Sequence, residues 1–234
     1  MLNLDLATGP GTPLQILCLG AHADDIEIGC GGTVLELLAT YPDARVHWVV
    51  LSARAERRGE AEDAAKRFLA GAKETTVRLG DFRDGFLPYE GAAVKDYFES
   101  LKELDPPDLI LTHYRDDLHQ DHRMVNELTW NTFRDHLILE YEIPKYDGDL
   151  GVPNFFVPLS RARCDEKIDH ILAAFASQRD RYWFTDDTFR SLLRLRGVEA
   201  RAATGYAEAF HARKITARMP EPGSAARLDS RDRR

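Results

Sequence analysis

Between positions 20 and 33 the chain reads Gly-Ala-His-Ala-Asp-Asp-Ile-Glu-Ile-Gly-Cys-Gly-Gly-Thr, which crowds His22, Asp24, Asp25 and Glu27 together. Carboxylates this close repel one another, and burying them costs several kcal/mol each unless a positive charge joins them. A divalent cation meets that need most simply. A second cluster, His119-Gln120-Asp121-His122, adds two imidazoles and a further carboxylate. Neutral imidazole with carboxylate oxygen is a ligand set that suits zinc or another first-row metal of similar preference.

Each cluster follows an apolar run, Leu14 to Leu19 before the first and Leu109 to His113 before the second. Such runs predict buried strands. At the carboxyl edge of an open α/β sheet, side chains from different strand ends converge, so the two clusters are expected to share one site. The remaining pattern supports such a sheet. Strands are predicted at 14–21, 45–52, 75–79 and 109–113, with a site loop over 22–32. Helices are predicted from Thr33 to about Tyr41-Pro42 and over 55–69, 92–104 and 121–136. Residues 137–160 read as a long loop, punctuated by Pro144, Gly148, Gly151, Pro153 and Pro158, with a short strand around 154–157. Helices at 163–177 and 186–195 and a closing strand at 206–212 complete the pattern. Residues 1–13 form a polar lead-in, and 219–234 lack any apolar period and read as a disordered tail. The expected fold is α/β: one Rossmann-like domain over 14–218, with a mostly parallel sheet and helices on both faces.

Composition removes several function classes. A chain of 234 residues with 30% charged and 44% hydrophobic residues is an ordinary soluble globular protein. A net charge of −8 argues against a dedicated nucleic-acid binder, which needs Lys and Arg against phosphates. No apolar run approaches the roughly 20 residues of a membrane-spanning helix, and Met1 to Asp5 lacks the features of a secretory signal. Cys18, Cys30 and Cys164 have no metal-binding spacing, so reduced thiols in a cytoplasm are expected. A homo-oligomer is the expected assembly.

With both clusters in view, the sequence resembles the LmbE-like or PIG-L family of metal-dependent N-acetylglucosaminyl deacetylases over about residues 14 to 215. The family signature Ala-His-Pro-Asp-Asp is matched by Ala21-His22-Ala23-Asp24-Asp25, and His-x-Asp-His by His119-Gln120-Asp121-His122. Ala23 replaces the usual proline, a position that shapes the loop but offers no ligand atom. The resemblance implies that His22, Asp25 and His122 hold Zn2+, with Fe2+ as the other candidate, and leave one position open to water. It implies Asp24 as general base and His119 as stabiliser of the oxyanion, with Asp121 holding the His119 imidazolium. Either Asp24 or His119 then protonates the leaving amine. Arg58 matches the family's basic position after the second strand, where it would bind sugar hydroxyls or a phosphate, with Arg54 and Arg57 as alternatives. Asp84, after the third strand, is expected to line the pocket. The implied substrate is a small-molecule N-acetylated amino sugar or its glycoside, nucleotide, antibiotic or polysaccharide conjugate.

Plainer readings compete at several positions. A nucleotide loop is disfavoured because Gly29-x-Gly31-Gly32 is not Gly-x-Gly-x-x-Gly and the carboxylates oppose a pyrophosphate. His113 is either a core histidine or a partner of the site, while His47, His136, His170 and His211 read as structural. Cys30 reads as packing rather than as a ligand. Trp130, Trp183, Phe155 and Phe156 either stack on a sugar or fill the core, and Arg57 and Arg58 also fit a solvated helix face. Three other functions remain open: hydrolysis of a non-sugar amide, a phosphoesterase, which needs a second metal, and a silent carbohydrate-binding module, which does not need Asp24.

Overall fold

The computed structural model describes Leu4, Leu6 and residues 11–216, so the tail at 219–234 and most of the lead-in lie outside the described residues. In β1 (Gln15–His22), Ile16 and Cys18 enter one hydrophobic core and Leu17 and Leu19 the other. A strand buried on both faces belongs in the middle of a covered sheet. There it pairs in parallel with β2 (Arg45–Ser52) on one side and β4 (Leu109–His113) on the other. The seven strands run in the order β3-β2-β1-β4-β5-β7-β6, with β3 (Glu74–Leu79), β5 (Leu137–Tyr141), β6 (Phe155–Leu159) and β7 (Tyr206–His211). β1 to β5 are mutually parallel, and β7 runs antiparallel to both its neighbours. The direction of winding reverses between β1 and β4, and a crevice opens beyond the carboxyl ends of strands at such a switch point.

Two layers of helices cover the sheet. Val94 and Phe98 of α3 (Gly91–Ser100) and Val125 of α4 (Gln120–Thr132) enter the core that contains Leu17 and Leu19. On the other face, the core is filled from α1 (Asp25–Thr40), α2 (Glu56–Phe68), α5 (Arg161–Ala174) and α6 (Asp186–Glu199). This is the mostly parallel α/β sheet expected from the sequence. Among the described residues no helix is long and apolar enough to cross a membrane.

Two local expectations are corrected. The segment 22–32 is not a loop: α1 starts at Asp25, one residue after Asp24, which takes a φ of 103° to turn the chain from strand into helix. Residues 137–160 are not a continuous loop either, because Leu137–Tyr141 forms β5 in register with β4, Leu109 opposite Leu137. A run of five residues is too short to separate strand from loop by periodicity when turn formers follow it. The closing strand lies inside the sheet, between β5 and β6, and Pro158 is accommodated because β6 is an edge.

The glycines of α1 explain why the helix start was obscured. Glycine inside a helix costs about 1 kcal/mol relative to alanine, yet Gly29, Gly31 and Gly32 all lie within it. A Cβ on Gly29 would sit 2.1 Å from Cδ2 of Tyr141, one on Gly31 2.5 Å from Cε1 of Phe68, and one on Gly32 2.5 Å from Cδ1 of Leu159. These glycines allow the helix to lie against the sheet and α2, which sets the position of its first turn. Gly29→Ala is therefore expected to lower stability by about 1–3 kcal/mol despite its better helix propensity. Urea denaturation measures it, and an unchanged or raised midpoint would show that the contact with Tyr141 does not constrain α1.

Candidate active site

Three elements meet at the crevice. β1 ends at His22, α1 begins at Asp25, and α4 begins at Gln120, so its first turn carries Asp121 and His122. His22 Nδ1 lies 3.2 Å from His122 Nε2 and 3.4 Å from Asp25 Oδ2, and His122 Nε2 lies 3.4 Å from Asp25 Oδ1. Ligands bound at about 2.0–2.1 Å to one tetrahedral zinc stand roughly 3.3–3.4 Å apart. With His22 Nδ1 near one Asp25 oxygen and His122 Nε2 near the other, the three side chains stand at the spacing of ligands to a single metal ion.

The other nitrogen of each ring faces a carboxylate. His22 Nε2 is 3.1 Å from Asp121 Oδ2 and 3.2 Å from Asp84 Oδ1, and His122 Nδ1 is 2.9 Å from Asp117 Oδ2. Such pairing fixes which nitrogen is presented to a metal and makes it more basic. Burial opposes charge on both imidazoles, yet the carboxylates around them, Asp25 foremost, raise both above the ordinary histidine range. Asp25 is held well below its usual value because His122, His113 and His22 outweigh burial. The site calls for positive charge, as a proton or as a cation.

Asp24 stands beside this centre, with Arg57 Nη2 3.1 Å from its Oδ2 and the same guanidinium donating to the Ala23 carbonyl. Burial pushes Asp24 up to about 7, while Arg57 pulls it down. His119 precedes α4, and its Nδ1 accepts the Asp121 backbone N–H at 3.2 Å, which leaves the proton on Nε2. Burial, His122 and His22 push its pKa below the ordinary value, so it is a neutral donor. His113 is fully buried, accepts the Ala21 N–H at 3.0 Å and stacks on His122 with ring centroids 3.9 Å apart.

His22, Asp24, Asp25, Asp84, His119 and His122 all line an open cleft of about 500 Å3. Two sequence expectations change. The Asp121 carboxylate does not hold His119: it accepts the Gly85 and Leu87 N–H groups at 2.8 and 3.1 Å and faces His22. Arg58 is not in the cleft wall, because its guanidinium donates to the Leu79 carbonyl and to Asp81; Arg54 and Arg57 line the cleft. Of the four aromatic candidates only Trp183 lines it, while Trp130 is occupied by Glu140 and lies under Arg213. Asp117 escaped the sequence reading. It is 2% exposed, receives Lys145 Nζ at 2.9 Å and orients His122. Its one signal was a carboxylate just ahead of the His-x-Asp-His cluster. Asp117→Asn is expected to weaken binding of a divalent metal by about 10- to 100-fold. Competition with a chromogenic chelator measures this, and native affinity would show that the Asp117 contact does not set the His122 donor.

The family model described as PIG-L, GlcNAc-PI de-N-acetylase, matches residues 17–133, half of the chain. No curated protein sequence gives a significant match. Among solved structures, N,N'-diacetylchitobiose deacetylase from Pyrococcus horikoshii is 21% identical, with a TM-score of 0.67 over 85% of this chain and 83% of its own. The zinc-inhibited form of teicoplanin deacetylase is 14% identical, with a TM-score of 0.64 over 85% of this chain and 97% of its own. A third, 4-carboxy-2-hydroxymuconate hydratase from Pseudomonas putida, is 18% identical, with a TM-score of 0.68 over 88% and 100%. At these identities the structures establish the shared fold, which carries more than one chemistry. The family match spans β1 through the end of α4 and includes both histidine-aspartate clusters, and the chain belongs to the PIG-L family.

Proposed function

We propose that the chain is a metal-dependent N-deacetylase that hydrolyses the acetamide of an N-acetylated amino sugar or its conjugate, with residues 14–218 as the catalytic domain. The observation that carries this reading is the 3.2–3.4 Å triangle of His22 Nδ1, His122 Nε2 and the Asp25 carboxylate, beside an unliganded carboxylate, Asp24. Zinc, the metal this donor set suits, would lower the pKa of a water toward about 7 and polarise the acyl carbonyl. Asp24 takes the proton as water attacks the acyl carbon. The neutral His119 Nε2–H is the group placed to donate to the developing oxyanion, a contact worth about 3–4 kcal/mol in comparable sites. As the C–N bond breaks, Asp24 returns its proton to the amine, and acetate leaves with the oxygen from water. Asp121, fixed by two backbone N–H groups, holds the His22 ring, and Asp84 closes the same side of it.

The alternatives receive less support. The groups of possible metal ligands among the described residues, His22-His119-His122, Asp25-His113-His122 and His22-Asp84-Asp121, all crowd around the same two imidazoles, and one ion held by His22, Asp25 and His122 is preferred here over the pair a two-metal phosphoesterase uses. A carbohydrate-binding module would not require a carboxylate beside the donors with its own guanidinium. The three cysteines are free and buried, which supports a reducing, cytoplasmic setting.

Two results test the mechanism. Asp24→Asn should lower acetate release by about 100-fold or more while the metal stays bound; near-native turnover would show that another group is the base. Asp24 must be ionised to accept a proton, so kcat/KM should fall as pH drops through its pKa. Arg57 lowers that pKa, and Arg57→Met should move the acid limb upward by roughly one pH unit. A limb that does not move would show that Arg57 does not tune the base.

A further inference from the structure

The sheet ends on two unlike edges. β6 carries Pro158, which has no N–H to offer a further strand. β3, at the other edge, runs Glu74-Thr75-Thr76-Val77-Arg78-Leu79 in unbroken parallel register with β2, without proline or bulge. Just past its end, the Gly80 N–H donates to the Val50 carbonyl at 2.7 Å. Alternate residues of a strand turn their backbone groups the same way, so Glu74, Thr76 and Arg78 spend theirs on β2, while Thr75 and Val77 turn N–H and C=O outward. The first four residues of β3 are exposed, Val77 at 41%. Between β3 and α2 lies an open groove of about 330 Å3, lined by Ala65, Leu69, Thr75 and Val77 and bordered by Glu62 and Lys66.

Charge on an edge strand ordinarily guards it against pairing. Here the two charges have opposite sign and stand equally far on either side of Thr76. If β3 pairs antiparallel with its own copy about a two-fold axis at Thr76, Glu74 of each copy lies opposite Arg78 of the other, Thr75 opposite Val77, and Thr76 opposite Thr76. That register uses the outward backbone groups, because Thr75 and Val77 become the pair that exchanges both hydrogen bonds. The Glu–Arg and Thr–Thr pairs then fall at the closer positions without hydrogen bonds, where cross-strand side chains interact most strongly. Any other register takes Glu74 away from Arg78. Glu74 already meets Arg45 of β2 at 3.3 Å, whereas Arg78 makes no ion pair among the described residues. We propose that two copies of the chain join edge to edge through β3, antiparallel about Thr76, and continue the seven-stranded sheet of one into that of the other. The contact gives Arg78 a carboxylate and covers Val77. No residue of β3 lines the cleft, so the pairing leaves the site of each copy open and does not depend on the reaction assigned to it.

Sedimentation velocity on the full chain, with two charge reversals, tests the pairing. The unsubstituted protein should dimerise at micromolar concentration. Glu74→Arg and Arg78→Glu each set like charges opposite one another at both ends of the contact, so either alone should weaken dimerisation by about tenfold or more. Mixing the two variants brings opposite charges together again. The mixture should restore a dimer with one copy of each, a result that also shows both variants to be folded. A monomeric unsubstituted protein overturns the proposal. So does a dimer that both reversals leave intact, since the copies would then meet through another face, and so do reversals that dissociate the dimer, keep a native melting curve and fail to recombine on mixing.

Discussion

The structure depends on how it tolerates buried negative charge at the carboxyl end of β1. Asp24, Asp25 and Glu27 are all buried, and Asp117 and Asp121 join them from the segment leading into α4. Bringing such groups out of water is costly unless each finds compensation. Asp25 finds it in three histidines, Asp24 in Arg57, Asp117 in His122 and Lys145, and Asp121 in two backbone N–H groups and His22. Among the described residues neither Glu27 oxygen has a hydrogen-bond partner, and burial raises its pKa to about 8, so it is accommodated as the neutral acid. What remains after this pairing is a triangle of donors that share a deficit of positive charge. A divalent ion would satisfy it, and Asp24, raised by burial to about 7, lies beside the same site.

Much of the sheet was legible because its central strands are continuous apolar runs and its linkers carry Pro, Gly and Asp. β1, β2 and β4 needed no tertiary information. The metal-ligand candidates were legible for the same reason, since a strand end followed at once by His22-Ala23-Asp24-Asp25 can only place those groups at the sheet edge. What could not be read depended on contacts across the chain. Gly29, Gly31 and Gly32 suggested a loop, but they are helical residues that admit Tyr141, Phe68 and Leu159. Arg57 and Arg58 are neighbours in sequence, but as successive residues of the first turn of α2 they point about 100° apart, so one reaches Asp24 and the other Asp81. Asp121 adjoins His119 in sequence, yet its carboxylate serves His22, nearly a hundred positions away.

The loop after β5 shows how the fold separates scaffold from specificity. It brings Ile143, Lys145, Tyr146 and Asp147 to the cleft, opposite in sequence to the turn that brings Gln178, Arg181 and Trp183. These segments lie beyond the span matched by the family model, which ends at Phe133. The candidate metal ligands thus lie within the matched span, while the walls of the cleft are shared between that span, through Arg54, Arg57 and Asp84, and the segments beyond it. Similar sheets support deacetylases and a hydratase, so the reaction has to be argued from the donor triangle and its base, and the substrate from the walls.

Anomalous diffraction at the zinc edge from crystals of the zinc-loaded protein tests the central claim most directly. The account predicts one peak per chain, with His22 Nδ1, His122 Nε2 and an Asp25 oxygen at about 2.0–2.2 Å. A peak coordinated through His22 Nε2 with Asp84 and Asp121, or no ordered peak at this edge of the sheet, would contradict it.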